Sequence, residues 1–323
     1  MPDAWIVPKS EHIAVEKSTT QRNQPGFILV SMFMRLLRVV LCLCLSAIAL
    51  GQTLSPKTLA LTEEQIRDLI RHSADKDLEN DKKQRDYTYV ERQELRRLNG
   101  KGEVKSTEIK TYDVMEIYGE QVEKLIAKDD VPLSDKEARK EDDKIQKLID
   151  KRKNESEEGR DKRFQKEEKE REDERKFVRE VADAYHFTFV SMESLDGRET
   201  YVIDCDPRPD FQPHMKESKF LSKARGRIWI DKDDSQLRKL DAEFIDTVSV
   251  GLFLARIHKG SRVIFETTRI NDEVWLPQHV SVKADVRVAL VKNLDLDIDV
   301  TDRDYKKFRA DTKITPLGEA NQP

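Results

Sequence analysis

Asp295, Asp297 and Asp299 stand two residues apart. On a strand that spacing puts three carboxylates on one face, where oxygen ligands could hold a divalent cation. Asp231, Asp233 and Ser235 form a second such group. Neither satisfies the calcium loop of a helix–loop–helix site, which needs glycine at its sixth position and glutamate at its twelfth. Counted from Asp295, those positions hold Val300 and Lys306; counted from Asp231, they hold Gln236 and Ala242. The first group therefore reads as the solvated face of a strand. The second reads as turn chemistry, because Asp and Ser side chains bond their own backbone. The six histidines (His12, His72, His186, His214, His258 and His279) include no HExxH pair, and the chain has no GxSxG, phosphate-loop or dinucleotide motif. Cys42 and Cys44 fall in an apolar N-terminal run, which leaves Cys205 alone in the body of the chain. It has no partner for an intrachain disulfide or a cysteine-based zinc site, and reads as a small buried hydrophobe. The sequence thus calls for no enzyme activity, metal or cofactor.

The elements that would have to position a site begin with Gly226 to Asp246, GRIWIDKDDSQLRKLDAEFID. Ile228 and Ile230 alternate with Arg227 and Trp229. Beyond the polar stretch 231–235, Leu240, Ala242 and Phe244 alternate with Lys239, Asp241 and Glu243. Two arms of period two around turn formers predict a β-hairpin. The same alternation recurs over 86–95, 103–118, 185–192, 199–205, 251–258, 262–270, 274–277 and 280–290, and again over 294–300. One apolar and one polar face is the mark of an antiparallel sheet, whose apolar face must be covered. Leu61 to Ala74 predicts an amphipathic helix capped by Thr62 with Gln65 as its partner, and 214–223 a short helix.

The chain has 323 residues, 38% of them charged, against about a quarter in an ordinary soluble domain. The excess lies mainly in 134–182, where acidic and basic residues recur three and four apart with no proline. That pattern predicts a solvated helical arm, or a helical hairpin bent near Asn154, Ser156 and Gly159. Apolar residues gather only towards its ends, at Ile145, Leu148 and Ile149 and at Phe177, Val178 and Val181. The net charge of −4 offers none of the concentrated basic surface that nucleic-acid binding requires.

Arg35 and Arg38 precede the apolar run Val39–Leu50, and Ala49-Leu50-Gly51 supplies small residues for cleavage. This reads as a signal peptide over 34–51, with Met32 or Met34 as the expected start and an uncleaved membrane anchor as the alternative. The expected organisation is then a non-structural extension (1–33), the signal peptide (34–51), an opening helix and first hairpin (60–133), the charged insertion (134–182), the remainder of the sheet domain (183–310) and a polar tail (311–323).

Three features taken in order resemble the LolA/LolB-type periplasmic lipoprotein-carrier superfamily. They are Gly226-Arg227-Ile228-Trp229-Ile230-Asp231, the following Leu237-Arg238-Lys239-Leu240-Asp241-Ala242-Glu243-Phe244, and the closing Asp304-Tyr305-Lys306-Lys307-Phe308. The resemblance spans about 60–310 apart from the charged insertion, which has no place in the plain carrier pattern. It implies an α+β fold: a strongly curved antiparallel sheet of about ten strands, an incomplete barrel, with helices over its concave side. It also implies a non-catalytic periplasmic protein that shelters the acyl chain of a lipid or lipoprotein. Ile228, Trp229, Ile230, Phe244, Phe265 and Val282 are the candidate lining residues. Arg92, Arg227 and Arg262 are equal candidates for the carriers' ligand-gating arginine, and none is assigned that role. The alternative is an envelope interaction or sensor protein in which segment 134–182 binds a protein partner.

Overall fold

The computed structural model describes residues 60–250, 255–288 and 292–308. The expected extension, signal peptide and polar tail lie outside them. Helix α1 (Glu63–Gln84) opens the described chain, followed by β1 (Tyr87–Leu98), β2 (Val104–Ile117), β3 (Glu120–Lys128) and the two-residue β4 (Val131–Pro132). Helices α2 (Asp135–Lys153) and α3 (Glu157–Ala184) come next, then β5 (Tyr185–Leu195), β6 (Arg198–Pro207), a 3₁₀ segment (Glu217–Lys223), β7 (Ala224–Asp231) and β8 (Leu237–Phe244). The chain closes with β9 (Val248–Val250), β10 (Ala255–Ile257), β11 (Arg262–Ile270), β12 (Val274–Val288) and β13 (Lys292–Lys307).

All thirteen strands belong to one sheet, and every strand pair is antiparallel. The order β4-β3-β2-β1-β13-β12-β11-β8-β7-β6-β5 leaves β4 and β5 at opposite edges, with β9 and β10 branching from β12, so the curved sheet stays open. The fold is α+β as expected, with more strands than the alternation alone predicts. Strands β3 and β4 extend the first hairpin. A register shift opposite β3, between Thr111 and Tyr112, breaks its alternation. The two stretches 274–277 and 280–290 are one strand through Pro277. Proline cannot donate to a ladder, and Pro277 lies at the register shift between Glu266 and Thr267 of β11, the kind of irregularity that admits it.

The opening helix begins where predicted. Gln65 N donates to Thr62 Oγ1 at 3.2 Å, and Thr62 N donates to Gln65 Oε1 at 2.9 Å, a reciprocal cap. Ile66 and Ile70 of α1 are fully buried against the sheet, and Asn80 brackets the backbone of Trp275 with one donated and one accepted bond. The charged insertion is a helical pair broken at 154–156, with the Ser156 hydroxyl accepting from Gly159 N at 3.1 Å to start α3. Helix α2 lies along β3 through Lys124–Asp142 and Lys128–Glu137 at 2.5 and 2.7 Å. Before Phe177, α3 is largely exposed and carries pairs such as Glu158–Lys162 and Glu172–Lys176. From Phe177 onward α3 turns inward, and Phe177, Val178 and Ala182 are fully buried.

Val280, Val282, Ala284 and Val286 of β12 and Leu294, Leu296, Ile298 and Val300 of β13 are buried within the main core. The opposite face carries ion pairs in register. One row crosses five strands. Asp299 of β13 meets His279 of β12 at 2.8 Å, His279 meets Glu266 of β11 at 3.2 Å, and Glu266 meets Lys239 of β8 at 2.6 Å. Lys239 then lies over the ring of Trp229 in β7. Partial burial favours the neutral imidazole of His279, but the Asp299 and Glu266 carboxylates outweigh it and hold its pKa above the ordinary value of 6.5. A raised folded-state pKa stabilises below the unfolded value, and that contribution is lost as pH rises through the folded value. Urea midpoints measured from pH 6 to 8 should therefore fall more steeply for the wild type than for His279→Gln. Parallel profiles would show that the row contributes no pH-dependent stability.

Candidate ligand-binding cavity

The covered face is not filled evenly. Phe187, Cys205, Gly226, Ala242 and Val263 are successive cross-strand partners on β5, β6, β7, β8 and β11. The three central positions carry only a thiol, a hydrogen and a methyl group, flanked by larger side chains. Gly226 is required there: a Cβ would lie 2.8 Å from the Asp241 carbonyl oxygen, inside the neighbouring strand's backbone. Small residues in register leave a trough in the sheet floor, which cover from α1, α3 and the 3₁₀ segment turns into a cavity.

The cavity measures about 110 Å³, opens partly to solvent and has an almost wholly apolar wall. Ile228, Leu237, Leu240 and Phe244 line it from the sheet, Ile70 and Val181 from the helices, and Phe220 and Leu221 from the 3₁₀ segment. Aromatic contacts brace this end. Phe220 stacks on Phe177 of α3 with centroids 5.9 Å apart and meets Phe244 of β8 at 6.2 Å. Polar atoms at the wall are already committed. Tyr185 Oη donates to the Leu221 carbonyl at 3.0 Å, and burial pushes its phenol pKa far above the usual value. Burial, with Asp204 and Asp206 adding to it, likewise drives the Cys205 thiol well upward. A thiol held protonated is a poor nucleophile, so Cys205 acts here as an apolar wall atom.

Of the six lining residues expected from sequence, Ile228 and Phe244 face the cavity. Ile230, Phe265 and Val282 are buried in the main core but do not line it. Trp229 lies on the opposite face, where its Nε1 donates to Glu193 at 2.9 Å. Alternation requires this, since Ile228 and Ile230 point inward. Arg92, Arg227 and Arg262 also pair on that outer face, with Asp130, Asp204 and Asp241. Asp297 and Asp299 pair with Arg96 and His279. Among the described residues no group of three or more His, Cys, Asp and Glu is placed to hold a metal, and no helix is long and apolar enough to cross a membrane. Sequence reasoning missed Leu237 and Leu240, the covering residues from α1, α3 and the 3₁₀ segment, and the small residues of the floor. The signal of the floor residues was lack of bulk at apolar positions of adjacent strands, visible only once the register is known.

No family model and no curated protein matches the sequence. Solved structures with a similar architecture include a putative outer membrane lipoprotein-sorting protein domain from Vibrio parahaemolyticus, at 13% identity and TM-score 0.30, covering 74% of this chain and 93% of that one. A LolA superfamily protein from Nitrosomonas europaea aligns at 10% identity and TM-score 0.24, covering 69% and 86%. MucB in its complex with MucA, from Pseudomonas aeruginosa, aligns at 12% identity and TM-score 0.18, covering 72% and 99%. Each aligns over most of its own length and superposes loosely on this chain.

Proposed function

We propose that this chain is an exported, non-catalytic carrier or binding protein for the acyl chain of a lipid or lipoprotein, held in the cavity between the sheet and helices α1 and α3. The observation that carries this reading is the in-register row Cys205, Gly226 and Ala242 beneath a helical cover. A core under selection for stability alone would carry bulkier side chains at Cys205 and Ala242, on either side of the obligatory Gly226, because interiors pack densely and voids are costly. An apolar cavity with its polar atoms already bonded recognises its ligand by burial, worth about 0.8 kcal/mol per methylene, and needs no specific polar contact. The protonated Cys205 and the committed Tyr185 hydroxyl fit storage better than chemistry.

The test is direct. The protein should be isolated from an envelope extract without strong detergent and examined by native mass spectrometry, then stripped and titrated with cis-parinaric acid. Co-purifying lipid and saturable probe fluorescence are expected. A protein that carries no lipid and gives no probe signal over its own background would refute the reading.

A further inference from the structure

At about 110 Å³ the cavity is smaller than the roughly 150 Å³ apolar cavity known to hold a single benzene ring. It shelters a few methylenes, so burying a longer chain requires part of the wall to move. Most of that wall is sheet or α-helix. The exception is the stretch 208–223, irregular up to the 3₁₀ segment, whose Phe220 and Leu221 form part of the cavity wall. Its two ends are tied to the body: Arg208 N donates to the Ala184 carbonyl at 2.8 Å, and Ile245 N donates to the Lys223 carbonyl at 2.9 Å. Between these anchors one side chain gathers the polar contacts. Glu180, on the buried face of α3 and 8% exposed, accepts from His214 N at 3.2 Å, from Met215 N at 2.9 Å and from the Ser218 hydroxyl.

We infer that residues 208–223 form a strap that swings to admit a chain, and that Glu180 is its latch, a positioning residue for the cavity. This rests on the acyl-chain reading above. A buried carboxylate satisfied by three donors from one segment makes two discrete states. In the closed state all four groups are paired; in the open state water must replace every bond at once. Intermediate positions would strand a buried charge, so the strap is held shut or released as a unit. A 3₁₀ segment suits the moving part, because its bonds are weaker than those of an α-helix and little structure is lost on opening.

Hydrogen exchange by mass spectrometry on the full mature chain, paired with stopped-flow binding of cis-parinaric acid, tests the latch. Glu180→Gln keeps the shape but turns an amide towards two backbone N–H groups. It should raise exchange in 211–221 by roughly tenfold or more, leave β7 and β8 protected, and speed probe association by a similar factor. Ser218→Ala removes one donor and should shift both readouts the same way by less, which keeps the test available if Glu180→Gln folds poorly. A purely structural role for Glu180 would weaken binding without speeding it. Exchange in 211–221 that neither substitution changes, or slower probe association in both, would overturn the latch. If exchange rises as expected but even the wild type binds no probe, the latch stands and the acyl-chain reading fails.

Discussion

Asp231→Ala should destabilise the protein by about 3–5 kcal/mol, a large part of the 5–15 kcal/mol that holds a typical domain together. Asp231 is fully buried at the end of β7, and Arg198 at the start of β6 grips it with two bonds of 2.6 and 2.7 Å. The same carboxylate accepts from Asp233 N and Asp234 N at 3.1 and 2.8 Å and so shapes the β7–β8 turn. Asp234 passes the connection on, accepting from Trp275 Nε1 and pairing with Arg269, both at 3.0 Å. Arg198 and Arg238 lie over the Trp275 ring at 5.7 and 4.9 Å. Removing Asp231 would leave Arg198 without its buried counter-charge and two turn N–H groups without an acceptor. Asp231→Asn keeps an acceptor for the turn but not the charge, so its cost should be smaller. Burial alone would raise the Asp231 pKa, but Arg198 and the two backbone N–H groups outweigh it, and the carboxyl titrates below the ordinary 3.8. Its stabilisation is therefore present above about pH 4 and lost as pH falls through the lowered value. Urea unfolding at pH 7 and pH 3 would show this, with the gap between wild type and Asp231→Ala narrowing in acid. Equal midpoints at pH 7 would mean that the turn is held by other contacts.

That turn shows how far the sequence could be read. The stretch 231–235 was legible as a turn because Asp and Ser bond their own backbone, and Ser235 does adopt a left-handed φ of 54°. Its partner was not legible, because Arg198 lies 33 residues earlier at the start of β6, and only the sheet order brings the two together. The same division runs through the molecule. Strict alternation at Val280–Val288 and Leu294–Val300 identified both strands and their buried faces, since period two fixes the side of each residue. It could also have placed Trp229 opposite Ile228, and hence outside any pocket that Ile228 lines. The break at Ser156 was readable from a helix-capping residue between two charged runs. Alternation does not show which strands are neighbours. Charge patterning does not tell a free helical arm from a docked one, yet α2 lies on β3 and the end of α3 roofs the cavity. The trough needed both kinds of information, residue size from the sequence and register from the fold.

Ala242→Leu should cut the affinity for cis-parinaric acid by roughly a hundredfold while leaving the fold intact. Ala242 stands in register between Gly226 and Val263, on the floor of the trough and beneath the helical cover. The added isopropyl group would project into the trough, and in a cavity of about 110 Å³ one branched side chain displaces most of what could enter. Three methylenes lost from the buried part of a ligand amount to about 2.4 kcal/mol, close to a hundredfold in affinity. Stability should move the other way or little, because filling an existing void regains contacts that the wild-type cavity forgoes. The two readouts separate the explanations. If the void is a packing defect with no role, Ala242→Leu raises the urea midpoint and leaves any probe binding where it was. If the void is the binding site, the midpoint holds or rises while binding is lost. Val282→Ala provides the control, because Val282 is buried on the same face but does not line the cavity. It should cost stability, as any core truncation does, and leave probe affinity nearly unchanged. Equal loss of affinity in both variants would place the probe elsewhere in the core and remove the trough from consideration.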